Sequence, residues 1–307
     1  MRIVQGTAKQ LGNMPRVCCG LTRAGRPCSI TSTSSFKDEQ GRSVASPLRR
    51  GGDRCLYHAQ PFSTHPAELP LGPLEILFLD TETTGTDVAT DRVVELSAVQ
   101  ALGRGPGASF SSVVAVDQDI LSTQRARDAA AIHGICDDEI RAGPTFRECW
   151  GRFLAFVDSL LRSRVQEMSD SSDDEPSATK PAEEQATVLI AAHNGKFDFA
   201  LLLFECHRHS LDVTTFENWL FVDTLRITRA VVEMSGSCHK LQCIIQRFRG
   251  SANLTAHRAR DDCIALMDII MRLASHLDVP LGRLLQHFAE RFQLSASMAQ
   301  VSVLSPS

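Results

Sequence analysis

The sequence lacks any apolar stretch long enough to cross a bilayer, which takes ~20 residues. Its longest, residues 264–273, is broken by Asp268 and Arg272. Residues 1–17 carry Arg2, Lys9 and Arg16 but no apolar core, so they do not read as a secretory leader. They also hold no acid, which leaves an organelle-targeting segment open. Without a leader, ten cysteines point to a reducing compartment rather than to a disulfide framework. The expected location is therefore intracellular, in cytoplasm or nucleus, with the mitochondrion left open. A large charge excess is missing too: 32 Lys/Arg against 36 Asp/Glu leave −4. That balance by itself decides nothing about a nucleic-acid partner. There is no internal repeat.

What is present is unevenly distributed. Residues 1–70 hold ten Lys/Arg and four Asp/Glu, a net of +6, and residues 165–186 hold seven acids and Lys180, a net of −6. The first segment is rich in Gly, Ser, Pro and Arg and has no periodicity that would build a core. From residue 74 the composition becomes that of a globular domain, and strand patterns (74–80, 91–102, 111–117) give way to alternating helix and strand patterns. Helices are expected at 146–161, 197–206, 240–248, 260–277 and 281–292, with short strands at 188–192 and 220–222. Hairpin strands followed by such alternation predict an α/β class: a mixed sheet flanked by helices. The expected organisation is a flexible start (1–17), a small module (18–60), a linker (61–73), one domain (74–294) and a flexible tail (295–307). Residues 166–186 are too polar to bury a core and read as a disordered acidic insertion. Serines 169, 171 and 172 there suit an acid-directed kinase, although a plain solvated linker is the simpler reading.

Three segments carry chemistry. In LFLDTETTG, Asp80 and Glu82 are two apart on a strand and project to one side; Gly85 allows the turn that follows. Adjacent carboxylates repel unless cations lie between them, and such hard oxygen ligands favour Mg²⁺ or Mn²⁺. In AAHNGKFDFALL, an apolar strand enters a turn at His193-Asn194-Gly195, and Asp198 follows on the first turn of a helix. In LTAHRARDDCIALMDII, Ala259 and Asp262 share a helix face. His257, five before Asp262, can meet it only from the segment preceding the helix. Such a place suits a general base.

These three segments resemble, in order and context, the exonuclease motifs of the DEDDh (DnaQ-like) family, over residues 74–277. Ile132-His133-Gly134-Ile135, followed by Pro144-Thr145-Phe146, resembles the polymerase-proofreading branch. Val222-Asp223-Thr224-Leu225 and Leu241-Gln242 look like its later landmarks. The resemblance implies a ribonuclease H-like fold and 3′→5′ hydrolysis of phosphodiester bonds, with DNA slightly favoured over RNA. It implies two Mg²⁺ or Mn²⁺ ions about 4 Å apart. Asp80, Glu82 and Asp262 would hold one, and Asp80 with Asp198 the other. His257 would deprotonate water, and Thr83, Thr84, Gly85, Ile132, His133 and Asn194 would grip the terminal nucleotide. The implied partner is nucleic acid with a free 3′ end; membrane is not implied, and protein partners are left open.

Separately, Cys19 and Cys28, with Gly25 and Pro27 between them, precede Cys55 and His58. Thiolates and imidazole at such spacing suit a tetrahedral Zn²⁺ site, and with so little apolar residue nearby the metal would supply the folding energy; the alternative is a disordered basic arm with incidental cysteines. Cys18 is an alternative to Cys19; His65 reads as surface. The other six cysteines read as small buried hydrophobes.

Overall fold

The computed structural model describes residues 36–37, 43–44, 74–103, 105–170, 186–232, 238–249 and 258–291. Alternation along one strand organises everything else. In β1 (Leu74–Thr83), Leu77 and Leu79 belong to one buried cluster and Phe78 to another, as period-2 geometry requires. β1 pairs antiparallel with β2 (Val93–Leu102), which pairs antiparallel with β3 (Gly105–Val113). On its other side β1 runs parallel to β4 (Thr187–Ala192), then β5 (Leu220–Asp223); the two residues of β6 (Glu290–Arg291) close that edge antiparallel. The order is thus β3-β2-β1-β4-β5-β6, a mixed sheet covered by helices, as expected.

Between β3 and β4 lie α1 (Gln118–Leu121), α2 (Gln124–His133), α3 (Asp137–Ala142) and α4 (Phe146–Asp170). α5 (Lys196–Arg208) joins β4 to β5, and α6 (Thr224–Val231) follows β5. α7 (Leu241–Arg249), α8 (Ala259–His276) and α9 (Leu281–Phe288) complete the described helices. One face of the sheet buries Leu77, Leu79 and Ile190 against Phe146, Trp150 and Phe153 of α4 and Phe199 and Leu202 of α5. The other buries Phe78, Leu189 and Val222 against Cys263, Leu266 and Ile270 of α8, with α6, α7 and α9 around it. Each such fully buried side chain contributes roughly 1.5–3 kcal/mol. Among the described residues no helix is long and apolar enough to cross a membrane.

Four expectations are corrected. Helix α4 continues to Asp170, so residues 166–170 are helical rather than part of the expected insertion; Val165 and Met168 carry helical apolar spacing past Leu161, and no Pro or Gly interrupts it. The third strand is Gly105–Val113, not 111–117. It lies at the sheet edge, where Gly105 and Gly107 need no packed side chain. The last helix stops at Phe288, because Glu290 and Arg291 pair with β5. The six remaining cysteines divide: Cys149, Cys206 and Cys263 are buried, Cys136 is exposed, and Cys238 is joined to Cys243. The last two flank the start of α7, whose first turn brings Cys243 back over Cys238. Cys19, Cys28, Cys55 and His58 lie outside the described residues, as does His257.

Candidate active site

The alternation of β1 continues past Phe78, so Asp80 and Glu82 lie on the α8 side of the sheet. Asp262, one turn into α8 and three residues after fully buried Ala259, comes down onto them. One carboxylate oxygen from each of Asp80, Glu82 and Asp262 lies within 4.8 Å of the others. Burial first, then Asp198, Asp262, Glu82 and Glu95, raises the Asp80 carboxyl well above the usual carboxylate range. Burial, then Asp262 and Glu95, pushes Glu82 up to about 8. Among the described residues, the charged groups that act most on Asp80 are other acids. Three hard oxygen donors brought this close together fit a divalent metal, which would reverse these shifts.

Asp198 reaches the same strand end from the opposite face. On the first turn of α5 it is 4% exposed, and its Oδ1 accepts from the backbone N of Thr81 (3.1 Å) and from the Thr81 hydroxyl (2.7 Å). Burial raises it to about 7, against the pull of these hydrogen bonds. Its turn is held from behind: His193 Nε2 donates to the carbonyl of His239 (2.7 Å), and the backbone N of Gly195 donates to Asp223 (3.3 Å). Asn194 adopts the left-handed conformation, φ 60°, which Asn tolerates.

The residues expected to grip a nucleotide divide. The Thr83 hydroxyl donates to the Gly85 carbonyl (2.6 Å). At Gly85 an added Cβ would lie 2.4 Å from the Asp91 carboxylate and 2.5 Å from Arg125 Cδ, so any larger residue would have to displace the Asp91–Arg125 pair. Ile132 is 60% exposed at the end of α2 and available for contact. Thr84 and His133 lie in the interior, each with a hydrogen-bond partner from the chain. Thr84 is buried and its hydroxyl oxygen accepts from the Arg92 backbone (2.9 Å); His133 is buried and its Nδ1 accepts from the Ile135 backbone (3.0 Å). His133 faces inward because it closes a helix ended by left-handed Gly134, φ 71°. Two polar residues escaped the sequence reading: Glu95, buried on β2, and Arg258, which grips it. A lone acid inside VVELSAV was the available signal.

Residues 77–164 match the family described as Exonuclease, a segment that holds Asp80, Glu82 and Glu95. The exonuclease DPD1, chloroplastic/mitochondrial, of Arabidopsis thaliana is 27% identical over 234 residues, 74% of this chain and 65% of that protein. The DNA polymerase III subunit epsilon of Treponema pallidum is 28% identical over 212 residues, 68% of this chain and 80% of that protein. The chain therefore spans somewhat less than two thirds of the plant relative. Among solved structures, the nuclease domain of 3′hExo bound to rAMP is similar at 12% identity and a TM-score of 0.49, covering 66% of this chain and 92% of that one.

Proposed function

We propose that this exonuclease-family domain is a metal-dependent 3′→5′ exonuclease, hydrolysing the phosphodiester bond at the 3′ end of a nucleic acid, DNA in preference to RNA. The observation that carries the reading is the convergence of one carboxylate oxygen each from Asp80, Glu82 and Asp262 within 4.8 Å. These three, with Asp198 behind Asp80, would hold two Mg²⁺ or Mn²⁺. Such ions, when bound, stabilise the charge that develops on the attacking and leaving oxygens of an in-line displacement.

The chain's own residues supply the rest. His257, two residues ahead of α8, takes the proton of the attacking water at an imidazole nitrogen. Ile132 offers an apolar surface to the terminal base, and the Thr83–Gly85 turn offers backbone groups to the sugar and phosphate. Ala259 lets α8 lie close against the strand end. The preference for DNA is supported by relatives that include DNA polymerase III epsilon subunits. The same reading keeps a structural zinc at Cys19, Cys28, Cys55 and His58.

The test is a degradation assay with 5′-labelled DNA and RNA, single- and double-stranded, in Mg²⁺, in Mn²⁺ and in EDTA. The expected product is a ladder shortening from the 3′ end, faster on DNA and absent in EDTA. Cleavage indifferent to EDTA, or release of the 5′ label first, would rule the reading out.

A further inference from the structure

Glu95 stands directly across the ladder from Glu82. Opposed residues of an antiparallel pair share a face, with Cα atoms about 4.5–5.5 Å apart. Glu95 therefore lies on the side of the sheet that carries the candidate metal ligands, yet it is not among the three whose oxygens converge. Its own oxygens are engaged elsewhere. Oε1 accepts from Arg258 Nη2 (2.9 Å) and Nε (3.2 Å), and Oε2 accepts from Arg258 Nε (3.2 Å) and from the backbone N of Ala259 (3.0 Å). Only 1% of Glu95 is exposed.

We propose that Glu95 is a positioning residue for the hydrolysis proposed above: through Arg258 and the first amide of α8 it sets where that helix begins, and so where Asp262 and the chain bearing His257 are held. The helix has no cap of its own. Arg258, at the cap position, has an extended backbone and makes no side-chain hydrogen bond to the helix end. The missing acceptor comes from β2 instead, and an anion at that end also matches the helix dipole. Arg258 reaches further to Glu139 of α3 (3.0 Å), so one guanidinium ties β2, α3 and α8 together. Asp262 follows Ala259 by three residues, and β2 is the neighbour of the strand that carries Asp80 and Glu82. A slip of the helix start thus moves one ligand against the other two. Displacements of about 1 Å at a reacting centre cost on the order of 100-fold in rate.

The inference rests on the exonuclease reading, and its test separates the two. Glu95→Gln, Arg258→Gln, Arg258→Lys and the Glu95→Gln/Arg258→Gln double variant of the full chain would be compared for kcat, KM and amide exchange along α8. Because Arg258 is 41% exposed at its side chain, its variants keep the test open if Glu95→Gln fails to fold. Each Gln variant is expected to lose roughly 30- to 100-fold in kcat with KM little changed, and Arg258→Lys, which keeps charge but not the fork, about 10-fold. The double variant should be no slower than the worse single, since both changes break one link. Amides 259–262 should exchange at least about 10-fold faster while those at 266–273 stay as they were. Unchanged kcat in folded variants, losses that multiply in the double variant, or a raised KM at constant kcat would each overturn the proposal. If the wild type degrades no nucleic acid, the functional reading fails. The exchange contrast between the two halves of α8 then still decides whether Glu95 sets the helix.

Discussion

Two buried acidic centres in this domain are built on opposite terms. Glu205 of α5 is 1% exposed and paired with two cations, Arg92 Nε at 2.6 Å and Arg208 Nη1 at 2.9 Å, with the His209 ring, whose protonation burial disfavours, at 3.4 Å. It also accepts from the Val93 backbone (3.3 Å). Among the described residues, the charges that act most on Asp80 are those of other acids. Burying a charge is tolerable when it is paired and hydrogen-bonded and costly when it is not. The first centre therefore describes an assembled joint between β2 and α5. The second is an electrostatic fault that the fold keeps, and faults of this kind mark places where something else must bind. Glu95 stands between the two kinds, an acid of the second centre given a partner.

Removing one acid from each centre should give the largest and most divergent effects. Asp80→Asn should abolish turnover to the limit of detection while the metal-free protein stays folded, as circular dichroism would show. Retained cleavage would remove Asp80 from the site. His257→Ala should lose about 10²–10⁴-fold, the usual worth of general-base help, yet still bind Mn²⁺ as the wild type does. Loss of Mn²⁺ would make His257 a ligand instead. Glu205→Gln should do the reverse of Asp80→Asn. Stranding Arg92 and Arg208 costs about 3–5 kcal/mol when a buried pair loses one partner, read as a lower denaturation midpoint, with kcat of the folded enzyme unchanged.

A smaller effect follows from pH. Glu82, ordinarily near 4.5, is pushed up to about 8 by burial and its acidic neighbours. A folded-state value raised above the unfolded one means the folded protein binds the proton more tightly. The stability this lends is complete below about 4.5 and is lost as pH rises through about 8. In EDTA, Tm should therefore decline across that window, and Glu82→Gln should flatten the decline. Saturating Mn²⁺ should raise Tm far more at pH 8 than at pH 5, since it binds the ionised carboxylates. An equal Mn²⁺ shift at both values would mean that these acids are not where the metal goes.

The sequence exposed the parts of this site that depend on short-range geometry. Asp80 and Glu82 share a face because strands alternate, Asp198 falls on the first turn after an apolar strand, and His257 precedes a helix that does begin at Ala259. What stayed hidden depends on pairings between distant segments. Nothing in VVELSAV announces that Glu95 will meet Arg258, 163 residues away. That Thr84 turns inward, its hydroxyl beside Asp91, goes with the Asp91–Arg125 contact across 34 residues, whereas the burial of His133 goes with a local feature, the helix end at Gly134. The edge strand β3 was displaced in the reading because glycines that signal turns are also harmless where one side of a strand has no neighbour. The Cys238–Cys243 link was missed because cysteine in apolar company looks the same whether or not a second thiol folds back on it.

A last comparison sets the hard oxygens of the sheet against the soft thiolates near the amino terminus. Cys19, Cys28, Cys55 and His58 suit zinc as the carboxylates suit Mg²⁺ or Mn²⁺, so the two metal populations should separate chemically. Protein purified without chelator should carry one zinc per chain, and Mg²⁺ in excess should not displace it. Cys28→Ser with Cys55→Ser should remove the zinc and leave cleavage of a short oligonucleotide nearly intact. The effect should appear on longer substrates. Residues 1–70 carry a net charge of +6, and each phosphate contact neutralised by Lys or Arg steepens the fall of log affinity with log salt by about 0.7–0.9. If zinc folds this segment onto nucleic acid, the double serine variant should bind a long strand more weakly and with a shallower salt slope. Zinc-free wild-type protein with the same slope as the variant would refute both the site and its role. Bound zinc with an unaltered slope would keep the site and direct the module toward a protein partner.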